Sequence, residues 1–229
     1  MARRIKRSEG RAGSPAADLP RHRAIVALDI EQSTSRPDPV KAELRSTLYE
    51  LFDQALHAGG ISRRYRDRFI DRGDGILALI HPADQAPKTL LLNCVVPALA
   101  RLLADYETSL PRAGRPQRQL RVRAVVHAGE IRYDANGCFG EALDIAFRLL
   151  DAPHVKKSLR VTEEPLTLVI SDEIYRCVVR HGYHGIDQHA FQPLVRVCVA
   201  GRRYQGWIQV PPQAIHQTVT DIAHYRQSA

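Results

Sequence analysis

The chain has 229 residues, 44% of them hydrophobic and 25% charged, which is enough apolar material to bury one medium-sized core. No apolar run approaches the roughly 20 residues that cross a bilayer, and no signal-peptide pattern follows the basic start, so a cytoplasmic domain without a membrane span is expected. Formal charge is +8, and residues 1–23 hold seven Lys or Arg against Glu9 and Asp18, so the basicity is concentrated at one end.

In chain order, residues 1–22 read as a solvated basic tail, because Gly10, Gly13, Ser14 and Pro15 discourage order. Such a tail has charge for an acidic or phosphate-bearing partner, although nucleic acid is not the expected one. Residues 23–211 form the expected domain, and residues 212–229 a C-terminal tail. Within the domain, Ala24 to Ile30 is an apolar run that predicts a buried central strand with Asp29 at its end. Val40, Leu44, Leu48, Leu51, Phe52 and Leu56 have helical spacing over 37–58, closed by Gly59-Gly60.

Residues 65–70 and 76–80 predict two strands joined by Asp71-Arg72-Gly73-Asp74-Gly75, a hairpin with carboxylates at its tip. A helix is expected over 87–110, and a strand over 120–127 that breaks at Ala128-Gly129 and resumes at 130–132. Residues 138–150 read as a third helix, 166–170 as a strand, and 171–179 as a helix capped by Ser171. Residues 195–200 and 204–210 read as an antiparallel pair around Gly201, while 155–165 is either a dimer arm or a plain loop. The order predicts an α+β fold with a ferredoxin-like core, a mainly antiparallel sheet with helices on one face.

Two carboxylates carry the clearest chemical signal, Asp29 at a strand end and Asp74 in a Gly-Asp-Gly hairpin tip. Placed on neighbouring strands they repel, and a hard divalent cation relieves that repulsion by accepting oxygen ligands while leaving positions for phosphate. The structural alternative is a turn-capping pair.

The segments AIVALDIEQST, FIDRGDGILAL, RAVVHAGEI and CFGEALDIAFRLLDA stand between residues 24 and 152 in the order seen in class III nucleotide cyclase domains, and the chain resembles that family. The resemblance implies two Mg²⁺ or Mn²⁺ ions per site, held by Asp29, Asp74 and the Ile30 carbonyl. It implies backbone N–H groups around Thr34 that meet the β- and γ-phosphates of a nucleoside triphosphate, a triphosphate contact from Arg123, and a transition-state cation in Arg148. In the family that arginine comes from the opposite subunit, so a homodimer is implied.

Three positions depart from the family pattern. The asparagine four residues before the transition-state arginine is Asp144, and the two purine-reading positions hold Ile70 and Gly137. With a short 129–139 connection, these departures point to a smaller base, UTP or CTP, as in the pyrimidine cyclases of bacterial antiphage signalling, with a downstream cyclic-nucleotide effector as partner. Tyr65, Arg66 and Arg68 are the candidates to replace the missing base contacts. The alternative is a cyclase-like domain that has lost turnover and serves as a nucleotide sensor or scaffold.

Other chemistries lack a pattern here. The four cysteines form no C-x-x-C pair and read as reduced residues; His181, His184 and His189 read as solvent-exposed rather than as zinc ligands. Neither G-x-S-x-G nor a Walker-type G-x-x-x-x-G-K occurs, and the hairpin matches only part of a GGDEF signature.

Overall fold

Ala24 to Ile30 is apolar almost throughout because the strand it forms is covered on both faces. The computed structural model describes residues 19–210. The expected tails therefore lie outside the described residues, except that β1 (Arg21–Ile30) begins two residues before the expected domain start.

An eight-stranded sheet organises the fold in the order β2-β3-β1-β4-β6-β8-β7, with β5 paired to the end of β4. The strands are β2 (Ile70–Asp71), β3 (Gly75–Ile80), β4 (Val122–Asp134), β5 (Gly137–Phe139), β6 (Leu166–Ser171), β7 (Phe191–Val199) and β8 (Arg202–Gln209). All neighbours are antiparallel except β4 and β6.

Side chains alternate between the faces. Ala24, Val26, Leu28 and Ile30 face α1 (Asp38–Ala58), α3 (Val96–Ser109) and α7 (Asp172–Cys177) in one core. Ile25 and Ala27 face α5 (Glu141–Leu150) and α6 (Pro153–Val161) in the other. Helices thus cover both faces, not one, because α5 and α6 carry their own buried stripe: Ala142, Leu143, Ala146, Leu149 and Val155. Asp29 continues the Ile25–Ala27 row, and this places it on the α5 face.

Several local outcomes differ from the expected elements. Of the strand expected over 65–70 only Ile70 belongs to β2, and Arg63–Tyr65 is a single 3-10 turn. The helix over 87–110 is α2 (Lys88–Leu90), a π-helical turn Leu91–Val95 and α3, and the short α4 (Arg115–Arg118) follows it. Pro97 has no N–H to give the Asn93 carbonyl, and a widened turn is how a helix accommodates that clash. By length and composition Lys88–Ser109 is apolar enough to cross a membrane, and here Leu91, Val95, Leu99 and Leu103 are buried in the core shared with α1.

The break expected at Ala128-Gly129 is absent, since β4 runs on through both residues. Gly129 is required for another reason: a Cβ there would stand 2.7 Å from Cβ of Ala142, so its bareness lets α5 approach the strand. Cys138 and Phe139, expected to start the helix, pair with β4 instead, and of 155–165, left open between arm and loop, the residues up to Val161 belong to the helix α6. Ser171 caps α7 as expected, its hydroxyl accepting from the Ile174 N–H.

Candidate active site

The hairpin between β2 and β3 is built to bring a carboxylate to the end of β1. Gly73 takes the left-handed φ of 78° that the turn needs, and the Gly73 N–H donates to the Asp71 carboxylate at 2.8 Å. Arg45 of α1 holds Asp71 from the other side at 2.7 Å, so the tip is tethered to a helix. Gly75 pairs with Asp29, and a Cβ there would fall 2.3 Å from the Leu28 carbonyl oxygen. The Ile30 N–H donates to the Asp74 carbonyl oxygen at 3.0 Å, which joins the tip to the strand end carrying Asp29.

Arg123 stands opposite Asp29 on β4 and donates to its carboxylate. The same guanidinium donates to the Leu150 carbonyl at 3.3 Å and to Asp151 at 3.4 Å, where α5 ends. Lys156 of α6 also pairs with Asp151, at 3.2 Å. Burial pushes the Asp29 carboxyl up to about 6, opposed by Arg123 and reinforced by the nearby charge of Asp74.

Asp29, Asp74 and Ile30 offer two carboxylates and a carbonyl, a hard oxygen set that suits Mg²⁺ or Mn²⁺. The charge of Asp74 acts on Asp29, which is the mutual repulsion that a divalent cation relieves. The donor set therefore fits such a cation. Among the described residues no group of three or more His, Cys, Asp or Glu side chains has metal-binding geometry, so carbonyl, water and phosphate oxygens would complete the coordination.

Between β1 and α1 the chain turns through Gln32, left-handed at φ 55°, into a 3-10 turn at Ser33–Ser35 that leaves Thr34 exposed. On α5, Asp144 and Arg148 lie one turn apart on the exposed face, opposite the stripe buried against the sheet, and no ion pair joins them among the described residues. Arg72 from the hairpin stacks on Phe147 of the same helix at 4.3 Å.

The candidates for base contacts are placed elsewhere. Tyr65 packs against the core that faces α1, with Arg64 over its ring at 4.5 Å. Arg66 is buried, paired with Asp53 and stacked on Phe69 at 4.1 Å. Arg68 is exposed and lines a groove of about 600 Å³ with Tyr49, Asp53 and Phe69 beside α1. The structure does not bring Tyr65, Arg66 or Arg68 onto the Asp29 face. The reason is local: Phe69 stacks on Phe52 of α1 at 5.3 Å and draws the segment to that side.

Asp151, the second carboxylate on Arg123, was not singled out from the sequence. The signal available was its place directly after the amphipathic α5 stripe, at the end of the helix. His181, His184 and His189 are exposed.

No family model matches the chain, and no curated protein does. Solved structures do match. An adenylate/guanylate cyclase/hydrolase from Silicibacter pomeroyi is similar over 84% of this chain and 98% of its own, at 20% identity and a TM-score of 0.54. The guanylyl cyclase Cya2 matches over 86% and 96% at 15% identity and a TM-score of 0.56. A bacterial light-regulated adenylyl cyclase matches over 88% and 98% at 13% identity and 0.57. The α+β fold described above is thus shared with adenylyl and guanylyl cyclase structures.

Proposed function

We propose that this chain is a class III-type nucleotidyl cyclase, converting a nucleoside triphosphate to a 3′,5′-cyclic monophosphate and pyrophosphate as a cytoplasmic homodimer. The observation that carries the reading is the joining of Asp29 to the Asp74 hairpin tip at the end of a strand, on the face that α5 covers. The shared fold supports it.

In this reading Asp29, Asp74 and the Ile30 carbonyl hold Mg²⁺ or Mn²⁺, two ions per site. Bound there, the metal supplies Lewis acidity for the 3′-hydroxyl and charge neutralisation for the triphosphate. The 3′-oxygen bonds to the α-phosphorus, the bond from that phosphorus to the bridging oxygen breaks, pyrophosphate leaves, and the hydroxyl proton passes to solvent. Arg123 turns from Asp29 to the triphosphate, and the turn at Thr34 orients the phosphate tail through backbone N–H groups. Arg148 faces away from its own sheet, so it serves the site of a second copy, with Asp144 beside it; two equivalent sites follow from the two-fold symmetry of such a pair.

Ile70 and Gly137 lack the hydrogen-bonding side chains that read a purine, which supports UTP or CTP as substrate and a pyrimidine second messenger, with antiphage signalling as its setting. The Arg123–Asp29 pair favours a second reading, a nucleotide sensor in which a cation of the protein itself holds the metal carboxylate. The test is to incubate the protein with Mn²⁺ and each ribonucleoside triphosphate separately and identify products by mass spectrometry. A cyclic pyrimidine monophosphate is expected; nucleotide binding by a dimer that makes no cyclic product would establish the sensor.

A further inference from the structure

We propose that the cavity between β4 and the starts of α5 and α7 binds a linear aliphatic polyamine, at the far end of α5 from the contact between Arg123 and Asp151. The cavity measures about 590 Å³, within the roughly 300–1,000 Å³ of small-molecule sites. Its wall carries four carboxylates, Glu130 of β4, Glu141 of α5, and Asp172 and Glu173 of α7, and no Lys or Arg. The whole chain has 33 Lys and Arg against 25 Asp and Glu, so the sign is locally reversed, and a cleft walled by one sign of charge concentrates the opposite ion.

Helix starts favour acids, which accounts for Glu141, Asp172 and Glu173 singly. It does not account for the imidazole that lines the same cavity. His127 is only 6% exposed, and its Nδ1 is committed to the Ser171 hydroxyl at 2.7 Å. Its Nε2 has no hydrogen-bond partner among the described residues and stands 3.7 Å from where a Cβ on Gly129 would lie, so it points into the space that this glycine leaves open. Burial lowers the pKa of His127 to about 4, so the ring is neutral at pH 7 and does not repel a cation. With Nδ1–H donating to Ser171, the Nε2 lone pair accepts an N–H from an ammonium group.

The carboxylates keep capacity for such a ligand. Glu130 is shared with His22 at 3.2 Å. Among the described residues Glu141 accepts from the Tyr204 hydroxyl, Glu173 from the Cys177 thiol and Asp172 from the Trp207 Nε1–H, with Arg176 no nearer to Asp172 than 3.9 Å. The four acids stand on three separate elements, and among the described residues no group of three or more His, Cys, Asp or Glu side chains has metal-binding geometry, so a compact cation cannot be held by them together. Ammonium groups spaced along a flexible chain reach them in turn, each through a charge-assisted hydrogen bond.

The test is calorimetric titration of the full chain with spermidine, and separately with butylamine, in the absence of metal and nucleotide. Spermidine is expected to bind, butylamine to bind about tenfold more weakly, and spermidine to bind about tenfold more weakly to Glu141→Gln and to Glu173→Gln than to the wild type. Both residues are exposed, so their replacement leaves the core intact. Glu163→Gln, which removes an exposed acid beyond α6, and Asp74→Asn should bind spermidine as the wild type does. The His127 ring resonances should shift when spermidine is added to the protein in an NMR titration. No spermidine binding, a loss in Glu173→Gln no greater than in Glu163→Gln, butylamine as tight as spermidine, or an unmoved His127 ring overturns the site. A loss in Asp74→Asn would place the amine at the Asp29–Asp74 pair and overturn it as well. No turnover enters the test, so failure of the cyclase reading would leave its result standing.

Discussion

Asp29 and Arg123 stand directly opposite each other on β1 and β4, and the Arg123 guanidinium is hydrogen-bonded to the Asp29 carboxylate. The pair satisfies a carboxylate that burial and Asp74 would otherwise leave protonated over a wider pH range. A divalent cation at Asp29 must compete with it. Arg123→Ala is expected to cost about 1–3 kcal/mol of stability, because a partly buried carboxylate loses its partner. The same variant should gain more from Mn²⁺ than the wild type does, since no internal cation competes. Melting curves with and without Mn²⁺ check both points; equal Mn²⁺ shifts in the two proteins would remove Asp29 from the metal site.

His127 is expected to make stability depend on pH. It is buried on β4 with Nδ1 2.7 Å from the Ser171 hydroxyl, and burial lowers its pKa from 6.5 to about 4. Between those values the unfolded chain takes up a proton that the folded chain does not. The contribution is therefore complete above pH 6.5 and lost as pH falls towards 4, a change of up to about 3 kcal/mol. Urea unfolding at several pH values should show this slope in the wild type and a flatter one in His127→Gln.

The two hairpin glycines should respond differently to alanine. At Gly73 the cost is that of a left-handed backbone, about 1 kcal/mol, and there is open space for the methyl. At Gly75 the methyl would strike the Leu28 carbonyl, which cannot move without shifting Asp29. Gly75→Ala is expected to lower stability by more than about 2 kcal/mol and to abolish activity. Thermal melts and product assays on the pair of variants test the ordering.

Much of this was legible in the sequence. Short apolar runs located β1, β3 and β6, because both side-chain rows of each are buried, and a 3.6-residue pattern located α1, which buries a single stripe. The misreadings have separate causes. Gly129 looked like a strand break and is a contact point for Ala142, Pro97 widened a helix whose apolar spacing looked continuous, and Cys138 pairs with Tyr133 across a hairpin. At the candidate site, Asp29 and Asp74 could be read from a strand end and a turn. The partner of Arg123 could not, since cross-strand register places it opposite Asp29.

Asp144 departs from the family pattern, yet it is exposed and makes no ion pair with Arg148 within its own chain. Asp144→Asn should therefore leave stability within about 0.5 kcal/mol. Removing a negative charge beside the arginine should raise the rate of cyclisation several-fold if Arg148 acts on developing phosphate charge. Steady-state kinetics with the preferred triphosphate read this directly.

The most direct test of a site shared between two copies is complementation. In the proposed reading Asp74→Ala would remove a metal carboxylate and Arg148→Ala the trans cation, and each variant alone is expected to be inactive. Mixed and allowed to exchange subunits, they should regain about a quarter of wild-type activity, since half of the dimers then hold one intact site of two. No recovery on mixing, with exchange demonstrated and the wild type active, would contradict a composite site.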